Sequence, residues 1–172
     1  KQGHPDHATS ATDRFIRTYP RHAHIDYAFY LKAVINFDRN IGFLTRVFRT
    51  DPSARDLNGP QVSFSDFNEV LRRYPNSIYA ADARQRMVYL RNGLARHEII
   101  VGLYYYRRGA YVSAINRGKY LIENYPQSEF VDDGIALMSA SYKALGQATL
   151  ADDSRRVLEK NGHTIDEVAL FV

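Results

Sequence analysis

Cysteine and tryptophan are absent from the 172 residues, and methionine occurs twice. Without cysteine the chain makes no disulfide and offers no thiol chemistry, although this fixes no compartment, since a periplasmic protein need not use disulfides. No window approaches the roughly 18 unbroken apolar residues of a membrane-spanning helix. No secretory leader opens the chain. It begins in the polar stretch "KQGHPDHATSATDRF", which reads as the middle of a longer polypeptide. Alternating runs bounded by hairpin turns are missing, which argues against strands. Also missing are a Gly-rich phosphate loop and any G-x-S-x-G setting for Ser63, Ser65 or Ser113. Among the six histidines only His4/His7 and His22/His24 are closely spaced, and both pairs lie in polar segments. The sequence therefore predicts no catalytic centre, no metal site and no cofactor.

What remains is helical spacing, 13 tyrosines, 9 phenylalanines and an uneven charge. Residues 72–119 hold ten Lys/Arg against Asp82 and Glu98, a net +8, whereas residues 120–172 hold four against nine acids, a net −5. A basic block of this kind attracts an acidic protein, a nucleic acid or an anionic headgroup, or simply solvates helix faces. Arg72, Arg73, Arg84, Arg86, Arg91 and Arg96 are spread around helices without forming one stripe, so nucleic acid is not an expected partner. The paired acids Asp132-Asp133 and Asp152-Asp153 fall near predicted helix starts, where they favour the macrodipole.

One phrase recurs. "FIRTYPRHAH", "VLRRYPNSIY" and "LIENYPQSEF" each place an apolar pair, two polar residues and Tyr-Pro in the same order. Proline lacks an amide proton and pushes the preceding residue out of the α region, so Pro20, Pro75 and Pro126 should end helices. Twelve residues before each proline stands a small residue (Ala8, Ser63, Ala114), and eight after it another (Ala28, Ala83, Gly134). The pattern predicts an all-α, tetratricopeptide-like helix-turn-helix solenoid over residues 1–162, followed by a tail at 163–172. Predicted helices span about Asp6–Thr18, with Ala8, Ala11, Phe15 and Ile16 inward, and Ile25–Phe37. Others span Gln61–Arg73, Ala110–Asn124, Phe130–Leu145 and Ala148–Lys160. One long helix should occupy Ile78–Arg108, with Gly93 a place where it could bend. A long connecting loop, Asp38–Pro60, carries Ile41, Phe43, Leu44, Val47 and Phe48, and apolar residues at that density must bury against the solenoid or a partner. Gly109, Gly146 and Gly162 suit helix C-caps, and Thr164 with Glu167 makes a capping box for a short last turn.

The stretches "YYYRRGAYVSAINRGKYLIENYP", "FSDFNEVLRRYPNSIYAADARQRMVYL" and "DRFIRTYPRHAHIDYAFYLKAV" resemble the BamD family, also called ComL. Within the long connection, Asp51, Ser53, Arg55 and Asp56 resemble that family's D-x-S-x-R-D element. The resemblance runs from about Asp13 to Lys160 and implies the C-terminal repeats of a lipoprotein of the outer-membrane β-barrel assembly machine. It implies a place on the periplasmic face of the outer membrane of a Gram-negative bacterium. Contact with the membrane would then run only through an N-terminal lipid anchor outside this chain. It also implies docking on BamA, at the POTRA domain nearest the barrel, with other lipoproteins of the machine as further candidate partners. Arg117, in "AINRGKY", matches the arginine that the family sets against an acidic residue of BamA.

Arg108, Tyr104 and Tyr105 lie just upstream and could complete that patch, and Phe48, Asp51, Arg55 and Asp56 form a second candidate contact. The plainer reading of Arg117 is a surface ion pair worth at most about 1 kcal/mol, on an exposed position that would tolerate Glu. At least one of Tyr104, Tyr105 and Tyr106 fills core. A general tetratricopeptide adaptor that binds peptide segments is the alternative to an assembly scaffold. It would need neither the D-x-S-x-R-D element nor the long helix.

Overall fold

The computed structural model describes residues 5–48 and 57–164, with the backbone alone for residues 5, 6, 40 and 42–48. Among the described residues there are seven helices and no strand: α1 (Pro5–Thr18), α2 (Ile25–Phe48), α3 (Asn58–Arg73), α4 (Ala80–Arg107), α5 (Tyr111–Asn124), α6 (Val131–Ala144) and α7 (Ala148–Lys160). Consecutive helices pack on one another, α1 on α2 and α2 on α3, then α5 on α6 and α6 on α7. This is the tetratricopeptide-like helical repeat that the recurring phrase predicts. The chain forms two compact units, residues 1–91 and 92–172, and the division falls inside α4.

The Tyr-Pro phrase builds the same turn three times. The amides of Tyr19, Tyr74 and Tyr125 each donate to the carbonyl four residues back, at 2.8 Å in every copy. The residue two past each proline, His22, Ser77 or Ser128, then donates its amide to that tyrosine's carbonyl. Its side chain also accepts from the amide two residues on: His24 to His22 Nδ1 at 3.1 Å, Tyr79 to Ser77 Oγ at 3.3 Å, Phe130 to Ser128 Oγ at 3.2 Å. Helix starts leave amides without intrahelical acceptors, and this side-chain acceptor answers one of them. The phrase is therefore a turn with its own cap. Gly109, Gly146 and Gly162 close α4, α6 and α7 with φ of 75°, 72° and 86°, values an L side chain rarely adopts. The Ala110 amide reaches back to the Tyr105 carbonyl at 3.0 Å, which completes the Schellman motif at the end of α4.

In the first unit Phe67 and Val70 of α3 meet Ala33 and Phe37 of α2 and Ala83 and Leu90 of α4. Full burial of one such large side chain stabilises by about 1.5–3 kcal/mol. Rings continue outward from this core: Tyr30 stacks on Tyr79 at 4.8 Å, and Phe37 meets Phe67 edge-on at 6.1 Å. Half-buried charges close the rim. Tyr30 donates to Asp82 at 2.6 Å, Arg86 pairs with the same carboxylate at 2.6 Å, and Asn36 donates to Asp66 at 2.6 Å.

The second unit packs through glycine. A Cβ at Gly118 would lie 2.6 Å from Met138 Cγ and 2.8 Å from the Gly134 carbonyl, so α5 and α6 approach backbone to backbone. Leu121 packs against Gly134 at this crossing, and Leu121, Leu137 and Leu158 are fully buried. Ile115, Tyr142 and Ala151, with Met138, form a second apolar cluster.

The structure corrects the sequence reading in several places. Helix α2 does not stop at Phe37 but runs to Phe48, so the first half of the supposed loop is helical. Phe37, Ile41, Leu44 and Phe48 stand at i, i+4, i+7 and i+11, a helical period that the polar Asp38-Arg39-Asn40 step obscures. Helix α3 begins at Asn58 rather than Gln61. In α1, Ala8 and Ala11 are exposed and Thr12 takes the buried position. Its hydroxyl can turn inward because it donates to the Thr9 carbonyl at 2.8 Å. Tyr19 is also exposed, in contrast to the buried Tyr125 at the equivalent turn. Helix α4 is continuous through Gly93. The tail turn expected beyond Thr164 lies outside the described residues.

Candidate protein-docking site

The end of α4 and the whole of α5 form a hairpin closed at Gly109. On α4, Glu98, Gly102 and Tyr105 fall at i, i+4 and i+7 and share one face. On α5, Ser113, Arg117 and Tyr120 do the same, with Asn116 beside them. Gly102 makes the two faces meet: a Cβ there would sit 2.4 Å from Leu137 Cδ2 and 3.3 Å from Arg117 Cβ. The close approach brings Arg117 Nη1 to 3.0 Å from Glu98 Oε2.

This ion pair is asymmetric. The Glu98 side chain is 3% exposed and that of Arg117 is 40% exposed. Burial pushes the Glu98 carboxyl above the usual carboxylate range, and Arg117 pulls it back in part. A carboxylate in such a position is tolerable only while its counter-charge stays in place. Arg117 is therefore not the freely exposed position that the sequence suggested. It is held from the protein side and open on the other. On its open side lies a pocket of about 320 Å³ lined by Tyr105, Ser113, Asn116, Arg117 and Tyr120. One guanidinium, three hydroxyls and an amide are the donor set for a carboxylate.

The remaining predicted residues divide. Arg108 stacks its guanidinium over the Tyr104 ring at 4.8 Å, and Tyr104 meets Tyr105 edge-on at 5.8 Å. Tyr104, Tyr105, Arg108 and Arg117 thus form one continuous set on the hairpin. Phe48 ends α2, while Asp51, Arg55 and Asp56 lie outside the described residues, as does the D-x-S-x-R-D element they belong to. Sequence reasoning missed Glu98, Ser113, Asn116 and Tyr120. It also missed His97, which is buried with an unpartnered Nδ1. Burial, then the positive field of Arg117, hold the His97 imidazole below its ordinary pKa.

A family model described as "Outer membrane lipoprotein", YfiO, matches residues 1–157. The outer membrane protein assembly factor BamD of Xylella fastidiosa (strain 9a5c) is 50% identical over 94% of this chain and 55% of its own length. The chain belongs to the BamD family. BamD of Neisseria gonorrhoeae is 40% identical over 94% of this chain and 60% of its own length. BamD of Vibrio cholerae serotype O1 is 32% identical over 87% of this chain and 62% of its own length. The chain thus spans a little over half the length of the BamD proteins it matches. Among the described residues no helix is long and apolar enough to cross a membrane, and no cluster of His, Asp or Glu could hold a metal ion.

Proposed function

We propose that this chain is a non-enzymatic docking part of the outer-membrane β-barrel assembly machine, working at the periplasmic face of the outer membrane. Its α4–α5 hairpin would meet the POTRA domain of BamA nearest the barrel, with Arg117 set against a partner carboxylate. Other lipoproteins of the machine are further partners in this reading. The name shared by the matched relatives, outer membrane protein assembly factor, supports the process. The observation that carries the surface is Arg117: anchored on a buried carboxylate, yet 40% exposed at a pocket of hydroxyl and amide donors. An arginine flanked by tyrosines is the composition of an interface hot spot.

Titration calorimetry of this chain against the soluble POTRA domains of BamA tests the reading. Binding that weakens with salt and falls sharply on Arg117→Ala is the expected result. No binding at low salt by a folded chain would overturn it. Equal capture of unrelated extended peptides would favour the general adaptor instead.

A further inference from the structure

Arg117 has a partner inside the protein that no reading of the docking surface requires. An exposed arginine searches many rotamers, and a contact that must first freeze it loses affinity to that ordering. Here the freezing has been done beforehand. Glu98 lies one helical turn before Gly102, the position that lets α5 close on α4, and its carboxylate is almost sealed from solvent. It reaches Arg117 through Nη1 at 3.0 Å. A guanidinium carries five N–H donors in a rigid fork, so holding Nη1 restricts the plane and leaves donors for a second carboxylate. Tyr105, from the same face of α4, is a further hydrogen-bonding neighbour of Arg117 and also lines the pocket.

We propose that Glu98 is the positioning residue of the docking site: it holds the Arg117 guanidinium in the plane that a partner carboxylate meets in the pocket lined by Tyr105, Ser113, Asn116 and Tyr120. The inference rests on the proposed docking of Arg117. It goes beyond that proposal because Glu98 itself touches no partner. The free energy of burying a lone carboxylate links the two residues, since Glu98 keeps Arg117 in place and Arg117 keeps Glu98 charged.

A double-mutant cycle in binding tests it, with calorimetry of this chain against the POTRA domains of BamA. Glu98→Gln keeps the shape and one acceptor but removes the charge, and it should weaken binding about tenfold. Arg117→Ala should weaken it by about a hundredfold. The double variant should bind no worse than Arg117→Ala alone, because Glu98 acts only through Arg117. Additive losses in the double variant would overturn the proposal, since a general folding defect acts with or without the arginine. Unchanged affinity in Glu98→Gln would also overturn it. Unchanged affinity in Arg117→Ala would instead remove the docking reading, and this inference with it. A measurement on the unaltered chain guards against misfolded variants: the side-chain ¹⁵N–¹H signals of Arg117 should show hindered rotation in the free protein. Fully averaged signals there would overturn the clamp.

Discussion

The two units fill their cores with different side chains, rings in the first and glycine contacts with aliphatic side chains in the second. In the first, the core is built from rings: Phe67 meets Phe37 and Tyr30, Tyr79 stacks on Tyr30, and charges such as Asp82 and Arg86 sit at the half-exposed rim. In the second, helices are brought together until glycines touch backbone, as Gly118 does against Gly134, and the carboxylate of the ion pair is drawn inside. Ring-filled packing tolerates a lost rim charge, because solvent replaces it. Backbone-close packing forces whatever lies on the touching faces into the interior. The pairing of buried Glu98 with half-exposed Arg117 follows from the close approach at Gly102. The unit that carries the candidate docking site is also the unit in which a charge is costly to disturb.

The contrast is broken most strongly by changes of size. Phe67→Ala leaves a void where no neighbour can close in and should cost about 3–5 kcal/mol. Gly118→Ala adds one methyl where a Cβ would lie 2.8 Å from a backbone carbonyl that cannot yield, and should cost about 1–3 kcal/mol. Denaturant melts give the totals, and hydrogen exchange assigns each loss to residues 1–91 or 92–172. If Gly118→Ala proved neutral, the distinction between filled and close-approach packing would collapse.

Next in size are the two arginine–carboxylate pairs. Arg117→Glu sets a second negative charge against a carboxylate that is 3% exposed, and should cost on the order of 3 kcal/mol as well as docking affinity. Arg86→Glu opposes Asp82, whose side chain is 43% exposed, and should cost no more than about 1 kcal/mol. Similar melting shifts for the two variants would show that burial is not what separates the pairs.

Much of this was legible in sequence because proline and glycine act locally. Pro75 and Pro126 mark the ends of α3 and α5, Gly146 the end of α6, and α7 falls where its caps put it. The long α4 was legible because its apolar face keeps one phase from Ala83 to Leu94 and beyond. Helix α2 past Phe37 was not, since a polar triplet there looks like a stop while nothing in it breaks a helix. Of the candidate site, Arg117 was legible through family resemblance, and Arg108, Tyr104 and Tyr105 through their place just upstream of it. Glu98 was visible only as one of two acids in a basic block. Its role depends on a contact with a residue nineteen positions away, made possible by a glycine whose importance is purely three-dimensional.

The smallest expected effect is on pH dependence, and it sharpens the comparison inside the second unit. His97 is buried beside Arg117, and its pKa is held down first by burial and then by that positive charge. In the unfolded chain it titrates near about 6.5. Above that value neither state binds the proton, and the fold keeps its full stability. As pH falls from there toward the depressed native value, only the unfolded chain gains the proton, and stability is lost. Glu98, whose carboxyl is raised by burial, works the other way: its contribution is complete at acid pH and declines as pH rises through its native value. The two groups thus bias the pH dependence in opposite senses. His97→Gln removes one side of the balance, leaving a chain that loses less stability on acidification than the parent. The difference in melting temperature between the two should widen steadily below about pH 6.5, at a slope under the roughly 1.4 kcal/mol per pH unit that one proton allows. Parallel melting curves from pH 7.5 to 5 would mean that His97 finds water or a partner when protonated, and that the interior around Arg117 is more open than its burial implies.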